Sequence, residues 1–422
     1  TRSTVFHPAL RGFDTPSDHG RRNGRYTDSG VVSHIAEAIH RGYYDDWFEG
    51  LVRGGNMKKL STLFMLLVFF SSVFLSLESS RPENIVILIC DGMGFNHLYI
   101  SELVTGEVMG SHNPVVSIGR NEALDNLVTD SAAAATAFFS GVKTLTGYLG
   151  MNALGEEVKT LADILKDKGW WLGLVTNTRY YDATPAALYA HAQRKETDVI
   201  TDFLMESPLD LFFAGGLEEL GINPFTQKPT PRSRIHELID SGYRVLGLNF
   251  EEIGSPDSEM LKGTVALVTM GDKSFENELI PGEPTLLEMV ERALAVFMQE
   301  ERNKLLVIEA GRIDDASHVN DSEAVLAELA AFRDVLSYLL SQLSLESDLL
   351  IVLSDHETGG VAVPYGKPDG DFSLSWSSND HTAAYVPIIA YGKGSHVFTG
   401  FYHLKEIPRK ICGLLDVIIC AE

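Results

Sequence analysis

The sequence predicts a three-layer α/β domain: a doubly wound, mostly parallel sheet with helices on both faces. Seven short, unbroken apolar runs carry that expectation, because an apolar run without alternation is a strand buried on both faces. Amphipathic helical patterns separate several of these runs, which gives the βαβ succession of a doubly wound fold. The chain after residue 83 also shows no internal repeat, no Pro-rich linker and no second composition, so one domain is expected across 84–418.

In chain order the expected strands are Ile85–Cys90, Trp171–Val175, Leu209–Phe213, Val265–Val268, Leu305–Ile308, Leu349–Leu353 and Val386–Ala390. Leu161–Lys168, closed by Gly169, and Thr285–Glu300 read as helices between them. The best-formed helix begins at Asp321. It places Leu326, Leu329, Phe332, Leu336, Leu339 and Leu343 along one face, the apolar stripe of a helix packed on a core.

Composition bounds the function classes. The 422 residues are 45% hydrophobic and 22% charged, which excludes a disordered chain. With 58 acidic against 34 basic side chains the net charge is −24, the wrong sign for a nucleic-acid binder. Three cysteines, Cys90, Cys412 and Cys420, are too few and too odd in number for a disulfide framework and read as packing residues. The charge is uneven: residues 1–56 balance to zero with seven Arg and seven Asp/Glu, whereas the 342 residues after position 80 carry −25.

Residues 57–80, MKKLSTLFMLLVFFSSVFLSLESS, have the basic start, apolar run and small polar end of a secretory signal peptide. The run from Leu60 to Leu77 approaches the roughly 20 residues of a membrane span. No A-x-A site follows it, so an uncleaved N-terminal membrane anchor is the alternative. A signal peptide acts from the chain start, which makes Met57 the expected first residue and 1–56 translated upstream DNA. Arg53-Gly54-Gly55 is what a purine-rich ribosome-binding site encodes when read through. The product is then expected outside the cytoplasm, periplasmic or extracellular.

Ligands of open α/β sheets bind beyond the carboxyl ends of the strands, and there the chain concentrates acids and histidines. Asp91-Gly92-Met93-Gly94 follows the first run; Glu309, Asp314 and His318 follow the fifth; Asp355-His356-Glu357-Thr358-Gly359-Gly360 follows the sixth; Asp380-His381 precedes the seventh. A lone Asp after a strand is usually a cap or turn residue. Four such clusters on one edge would repel one another without cations. Carboxylate with imidazole suits zinc, and all-oxygen ligands suit magnesium. A separate segment, Val128-Thr129-Asp130-Ser131 followed by an alanine run, predicts a helix beginning at Ser131. Its first N–H groups would be free and aimed at the serine oxygen, an arrangement that draws anions. No G-x-S-x-G is present, so a metal and not a histidine is expected to activate the serine.

These motifs, with Asp182-Ala183-Thr184-Pro185-Ala186-Ala187 and His381-Thr382-Ala383…Val386-Pro387, occur in an order that resembles the alkaline phosphatases. The resemblance spans about 84–415. It implies an alkaline phosphatase-like fold and a homodimer that hydrolyses small phosphate monoesters at alkaline pH. It also implies two Zn2+ and one Mg2+ per chain. Asp314, His318 and His381 match the first zinc site; Asp355 and His356, with Asp91 bridging, match the second. Asp91, Thr184 and Glu309 match the magnesium site, where Asp182 would hold metal-bound water. Ser131, beside Asp130, matches the nucleophile that becomes phosphoserine. The family's phosphate-gripping Arg lies four residues after a His, whereas here His191-Ala192-Gln193-Arg194-Lys195 puts Arg after three and Lys after four. Arg194 is preferred because a planar fork matches phosphate better than an ammonium does. Only 24 residues lie between His356 and His381, little room for the insertion of larger members.

Two other functions fit parts of the pattern. A phosphodiesterase or phosphonate hydrolase of the same superfamily generally lacks the third metal site, so Thr184 with Glu309 argues for the monoesterase. An exported phosphate- or metal-binding protein without turnover would not need Ser131 at a helix start.

Overall fold

The computed structural model describes residues 80–106, 110–246, 264–367 and 371–418. The expectations for 1–56 and for nearly all of 57–80 lie outside the described residues, as does Cys420. The described residues fall in one compact unit, Ser79–Glu422. No helix among them is long and apolar enough to cross a membrane.

Ten strands form the main sheet: β1 (Asn84–Cys90), β2 (Val115–Arg120), β3 (Trp171–Arg179), β4 (Leu211–Gly215), β5 (Arg244–Leu246), β6 (Thr264–Thr269), β7 (Lys304–Ala310), β8 (Asp348–Leu353), β9 (Val386–Gly392) and β10 (Gly400–His403). Their order across the sheet is β10-β2-β9-β8-β1-β7-β3-β4-β6-β5. β9 pairs antiparallel to both β8 and β2, and every other pairing is parallel. All seven apolar runs are therefore strands of this sheet, and the three-layer expectation holds. β2 and β10, at the opposite edge from β5, escaped the sequence reading. Val116 and Ile118 of β2 and Phe401 of β10 remain exposed; β2 alternates, and neither strand has a continuous buried run.

The pleat divides the core in two. Ile85, Ile87 and Ile89 of β1 face a cluster with Phe138, Phe139 and Leu161. Val86, Leu88 and Cys90 face the other way, toward Phe297, Phe332 and Leu336. Helices α1 (Phe95–Thr105), α2 (Ser131–Ser140), α3 (Leu161–Lys166), α4 (Leu286–Gln299), α5 (Arg312–His318) and α6 (Ser322–Gln342) cover these faces, α2 and α3 on the first and α4 to α6 on the second. The starts of α3, α4 and α6 follow capping chemistry. Thr160 and Thr285 accept from Asp163 N–H and Glu288 N–H, and Asp321 accepts from Glu323 and Ala324 N–H. Along α6 the expected stripe is buried except for Leu326, which is half-buried. Cys90 and Cys412 are buried and unbridged.

Candidate metal centre and nucleophile

The register of three adjacent strands assembles the site. β7 runs between β1 and β3, pairing Ile89 with Glu309 and Thr176 with Glu309. Asp91 is the residue after β1, and its backbone N–H donates to the Ala310 carbonyl at 3.2 Å. Glu309 sits inside β7 and not beyond its end, because the strand continues to Ala310. The next strand over, β8, ends at Leu353 and delivers Asp355 and His356 two and three residues later. α5 then carries Asp314 and His318 one helical turn apart, so both point the same way.

Two glycines make this convergence possible. Gly92 has φ +74°, and a Cβ there would stand 2.8 Å from Asp314 Oδ1. A Cβ on Gly311 would come within 2.4 Å of the Thr178 methyl.

The side chains form two donor groups that share Asp314: Asp314 with His318 and His381, and Asp314 with Asp91 and His356. In the first, His318 Nε2 lies 3.2 Å from Asp314 Oδ2, and His381 Nε2 lies 3.7 Å from Asp314 Oδ1. His318 Nδ1 is 2.7 Å from the Asn379 carbonyl and His381 Nδ1 is 2.9 Å from the Thr129 carbonyl. A carbonyl only accepts, so each Nδ1 carries the proton and each Nε2 of a neutral ring presents a lone pair. Those two Nε2 atoms face each other at 3.1 Å. Lone pairs that close repel unless a cation or a proton lies near them both.

The second group is more deeply buried. Asp355 Oδ1 accepts from the N–H groups of Gly92 and His356, at 3.2 and 2.8 Å, while Asp355 Oδ2 is buried with no well-formed hydrogen bond and lies 3.0 Å from His356 Nε2. Asp91 repeats the pattern: Oδ2 accepts from Thr184 Oγ1 at 3.0 Å, and Oδ1 is buried and unpartnered, 3.4 Å from His356 Nε2. Buried carboxylate oxygens left without donors are costly in a folded chain, and bound cations satisfy them. Glu309 Oε2 accepts from Thr178 Oγ1 at 3.0 Å and from Thr176 Oγ1.

Electrostatics agree with that reading. Burial, then the charges of Asp355, Asp314 and Glu309, push Asp91 well above the carboxylate range. Burial pushes Glu309 up to about 8 against its threonine hydrogen bonds. Burial also acts to raise Asp314, but the His318 hydrogen bond and the His356 and His381 imidazoles outweigh it and hold that carboxyl low. Without cations, part of this acidic cluster stays protonated at neutral pH; with them, all of it can ionise. The donor set therefore fits metal ions.

Ser131 opens α2, and its Oγ lies 3.1 Å from His356 Nε2. Asp130 is the N-cap, and its Oδ1 accepts from Ala133 N–H at 3.0 Å. That corrects one expectation: the first helical N–H groups are not all aimed at the serine, because the capping carboxylate takes one of them. The cavity above Ser131, about 190 Å3, is lined by Asp91, Ser131, Asp182, Arg194, Glu309, Asp314, His318 and His381, with Thr178, Arg179, Gly311 and Asp315. Arg194 Nη1 donates to Asp130 Oδ2 at 3.1 Å, whereas Lys195 is exposed and outside that lining. Asp182 caps the short helix Ala183–Ala186 that presents Thr184. Asp380, paired with His381 in the sequence, is exposed; its backbone carbonyl accepts from Gly359 N–H and its backbone N–H donates to Ser378 Oγ.

The sequence reading missed Thr176, Thr178 and Arg179. The threonines stand two apart near the end of β3, the period that puts both on one face. Arg179 closes that otherwise uncharged strand just before Asp182, also at the carboxyl edge. Their position beyond the apolar run Trp171–Val175 is the available signal, and hydroxyls and a lone cation stand out there less than acids and histidines do.

A family model described as alkaline phosphatase matches residues 82–208. A second, described as the metalloenzyme superfamily, matches residues 277–415. The repressible alkaline phosphatase of Saccharomyces cerevisiae is 31% identical over 70% of this chain. Both matched stretches and the fold are thus similar to alkaline phosphatases. It spans 58% of the length of that yeast relative. Alkaline phosphatase 4 of Bacillus subtilis is 26% identical over 80% of this chain and 90% of its own. Among solved structures, the alkaline phosphatase of the Antarctic bacterium TAB5 superposes with a TM-score of 0.70 at 26% identity, over 80% of this chain and 99% of that one. A variant of that enzyme was solved with Mg bound. As in those family members, the large mostly parallel sheet is the scaffold here.

Proposed function

We propose that the chain is a metal-dependent phosphomonoesterase that works at alkaline pH through a phosphoserine on Ser131. The observation that carries this reading is the position of Ser131 Oγ: at a helix start, 3.1 Å from His356, on a cavity shared with two groups of metal-type donors and Arg194. Asp314, His318 and His381 would hold one zinc ion, and Asp355, His356 and Asp91 a second. Asp91, Thr184 and Glu309 would hold magnesium, with Asp182 alongside. Bound there, the ions would lower the pKa of the serine hydroxyl and neutralise phosphoryl and leaving-group oxygens. Ser131 Oγ attacks phosphorus in line, forming the Ser131–phosphorus bond as the bond to the departing alcohol breaks. Water then cleaves the phosphoserine and frees inorganic phosphate. The substrates on this reading are small phosphate monoesters, and the homodimer and export expectations rest on the family resemblance and on residues 57–80.

Comparing kcat/KM for nitrophenyl phosphate and bis-nitrophenyl phosphate tests the reading. The monoester is expected to be preferred by at least about 10^3-fold, more than 4 kcal/mol of transition-state discrimination. A preference for the diester would assign the site to the phosphodiesterases of the same superfamily, and no turnover of either would leave a binding protein.

Arg194 is assigned to the phosphate oxygens that point away from the metal donors. A guanidinium satisfies two of them in parallel and acts in ground and transition states alike. Arg194→Ala is therefore expected to raise KM and the inhibition constant of phosphate by about 10-fold or more, the cost of a charge-assisted hydrogen bond. Lys195→Ala is expected to change neither by more than about twofold, as for an exposed charge. Phosphate inhibition of the two variants, measured side by side, checks the assignment; the opposite ranking would exchange the roles.

A further inference from the structure

Beside the Ser131 cavity seven side chains alternate in charge, and four of them, Arg194, Asp182, Arg179 and Asp315, line it. Arg194 Nη1 lies 3.1 Å from Asp130 Oδ2, and its Nη2 lies 3.7 Å from Asp182 Oδ1. On the other side of Asp182, Oδ2 accepts from Arg179 Nη2 at 3.1 Å. Arg179 Nε lies 3.0 Å from Asp272 Oδ1, which also accepts the Arg179 backbone N–H at 3.1 Å. Arg312 continues the series, with Nη1 3.8 Å from Asp272 Oδ2 and paired with Asp315. The ladder thus holds four carboxylates and three guanidiniums. Of its carboxylates, Asp182 is the one shared between Arg194 and another arginine.

A phosphate dianion that binds Arg194 must draw that guanidinium off Asp130 and Asp182. Asp130 keeps compensation in the N–H groups of Ala133 and Gly147, both at 3.0 Å. Asp182 keeps the Ala183 N–H at 2.8 Å, but Arg179 is the cation that stays with it. Arg179 is itself held in place, by Asp272 on its side chain and backbone and by the Tyr181 ring, 5.2 Å from its guanidinium carbon. The two arginines therefore divide one carboxylate, with the shorter contact on Arg179.

We infer that Arg179 is a positioning residue for phosphate: by neutralising Asp182 it frees Arg194 to bind the phosphoryl group. Without Arg179, Asp182 holds Arg194 more tightly and repels the incoming dianion at short range, where charges in a partly dry cavity are poorly screened. The effect falls on every species bearing a phosphoryl dianion, so it sets substrate and product affinity together. The inference rests on the phosphomonoesterase reading of the cavity.

The test is calorimetric binding of inorganic phosphate to the metal-loaded full-length protein, with nitrophenyl phosphate kinetics in parallel. Arg179→Gln is expected to weaken phosphate about tenfold and raise KM in step, with kcat within about twofold. Arg179→Lys, which keeps the charge, is expected to stay within about threefold of wild type. In an Asp182→Asn background, Arg179→Gln is expected to change phosphate affinity by less than about twofold, because the charge to be neutralised is gone. An equal loss in both backgrounds overturns the inference, as does an Arg179→Gln protein with wild-type affinity. If Arg179→Gln does not fold, Arg179→Met, which also removes the charge, decides in the two backgrounds: an equal loss in both or wild-type affinity in both overturns the inference, and a loss of about tenfold that Asp182→Asn abolishes upholds it. Wild-type protein that neither binds phosphate nor turns over the monoester overturns the phosphomonoesterase reading itself. Wild type that does both, beside an Arg179→Gln variant that binds phosphate as tightly, overturns the Arg179 role alone.

Discussion

Ser131→Ala is expected to lower phosphomonoester turnover by at least about 10^3-fold, the scale on which losing a covalent nucleophile is felt. Its metal content is expected to remain near that of the wild type. The serine touches His356 through its hydroxyl alone, at 3.1 Å, and supplies none of the carboxylate or imidazole donors around the cavity. Its backbone role is to open α2, and alanine is the best helix former; Asp130 retains the cap. The variant should therefore fold, bind metal and bind phosphate, yet turn over very slowly. Metal analysis beside kcat checks this, and a variant with full activity would remove Ser131 from the chemistry.

Removing the metals is the second large perturbation. Dialysis against chelator is expected to abolish turnover, and zinc with magnesium to restore it. The stripped protein should also acquire a pH dependence of stability that the loaded protein lacks. Glu309 is pushed from its ordinary 4.5 up to about 8, by burial before any other cause, and Asp91 is raised as well. Each carboxyl then keeps its proton in the folded chain where the unfolded chain has lost it. Stability conferred this way is fully present below about pH 4.5 and declines as pH climbs toward 8, since the native state binds the extra protons. Thermal unfolding of stripped and loaded protein across pH 5–9 checks the sign. Equal slopes for the two would mean that the buried acids are not metal ligands.

How much of this was legible in the sequence follows from how each residue is held. Asp91, Asp355 and His356 were legible because each lies within three residues of the end of an apolar run, and a parallel strand delivers the residues that follow it to the carboxyl edge. Glu309 was legible as a site residue, but its place inside β7 was not, since the strand runs one residue past the charge. The helix start at Ser131 was legible, but the capture of the Ala133 N–H by the Asp130 carboxylate was not. Arg194 was chosen on the shape of its side chain, and the backbone turn puts it on the cavity and Lys195 outside. Arg179 was not legible: its partners Asp182 and Asp272 are 3 and 93 positions away, and only the pairing of β3 with its neighbours brings the latter within reach. β2 and the edge strand β10 were not legible because neither carries a continuous buried run: β2 alternates buried and solvent-facing residues, and no residue of β10 is fully buried.

The most direct test of the central claim is to quench turnover of a phosphorus-labelled monoester in acid within milliseconds and map the label by peptide sequencing. A phosphoserine is stable to acid, so the account predicts label on the peptide that contains Ser131 and none in Ser131→Ala. Rapid turnover in the wild type with no label on Ser131 would contradict it, because water would then attack the substrate directly and the serine would not be the nucleophile.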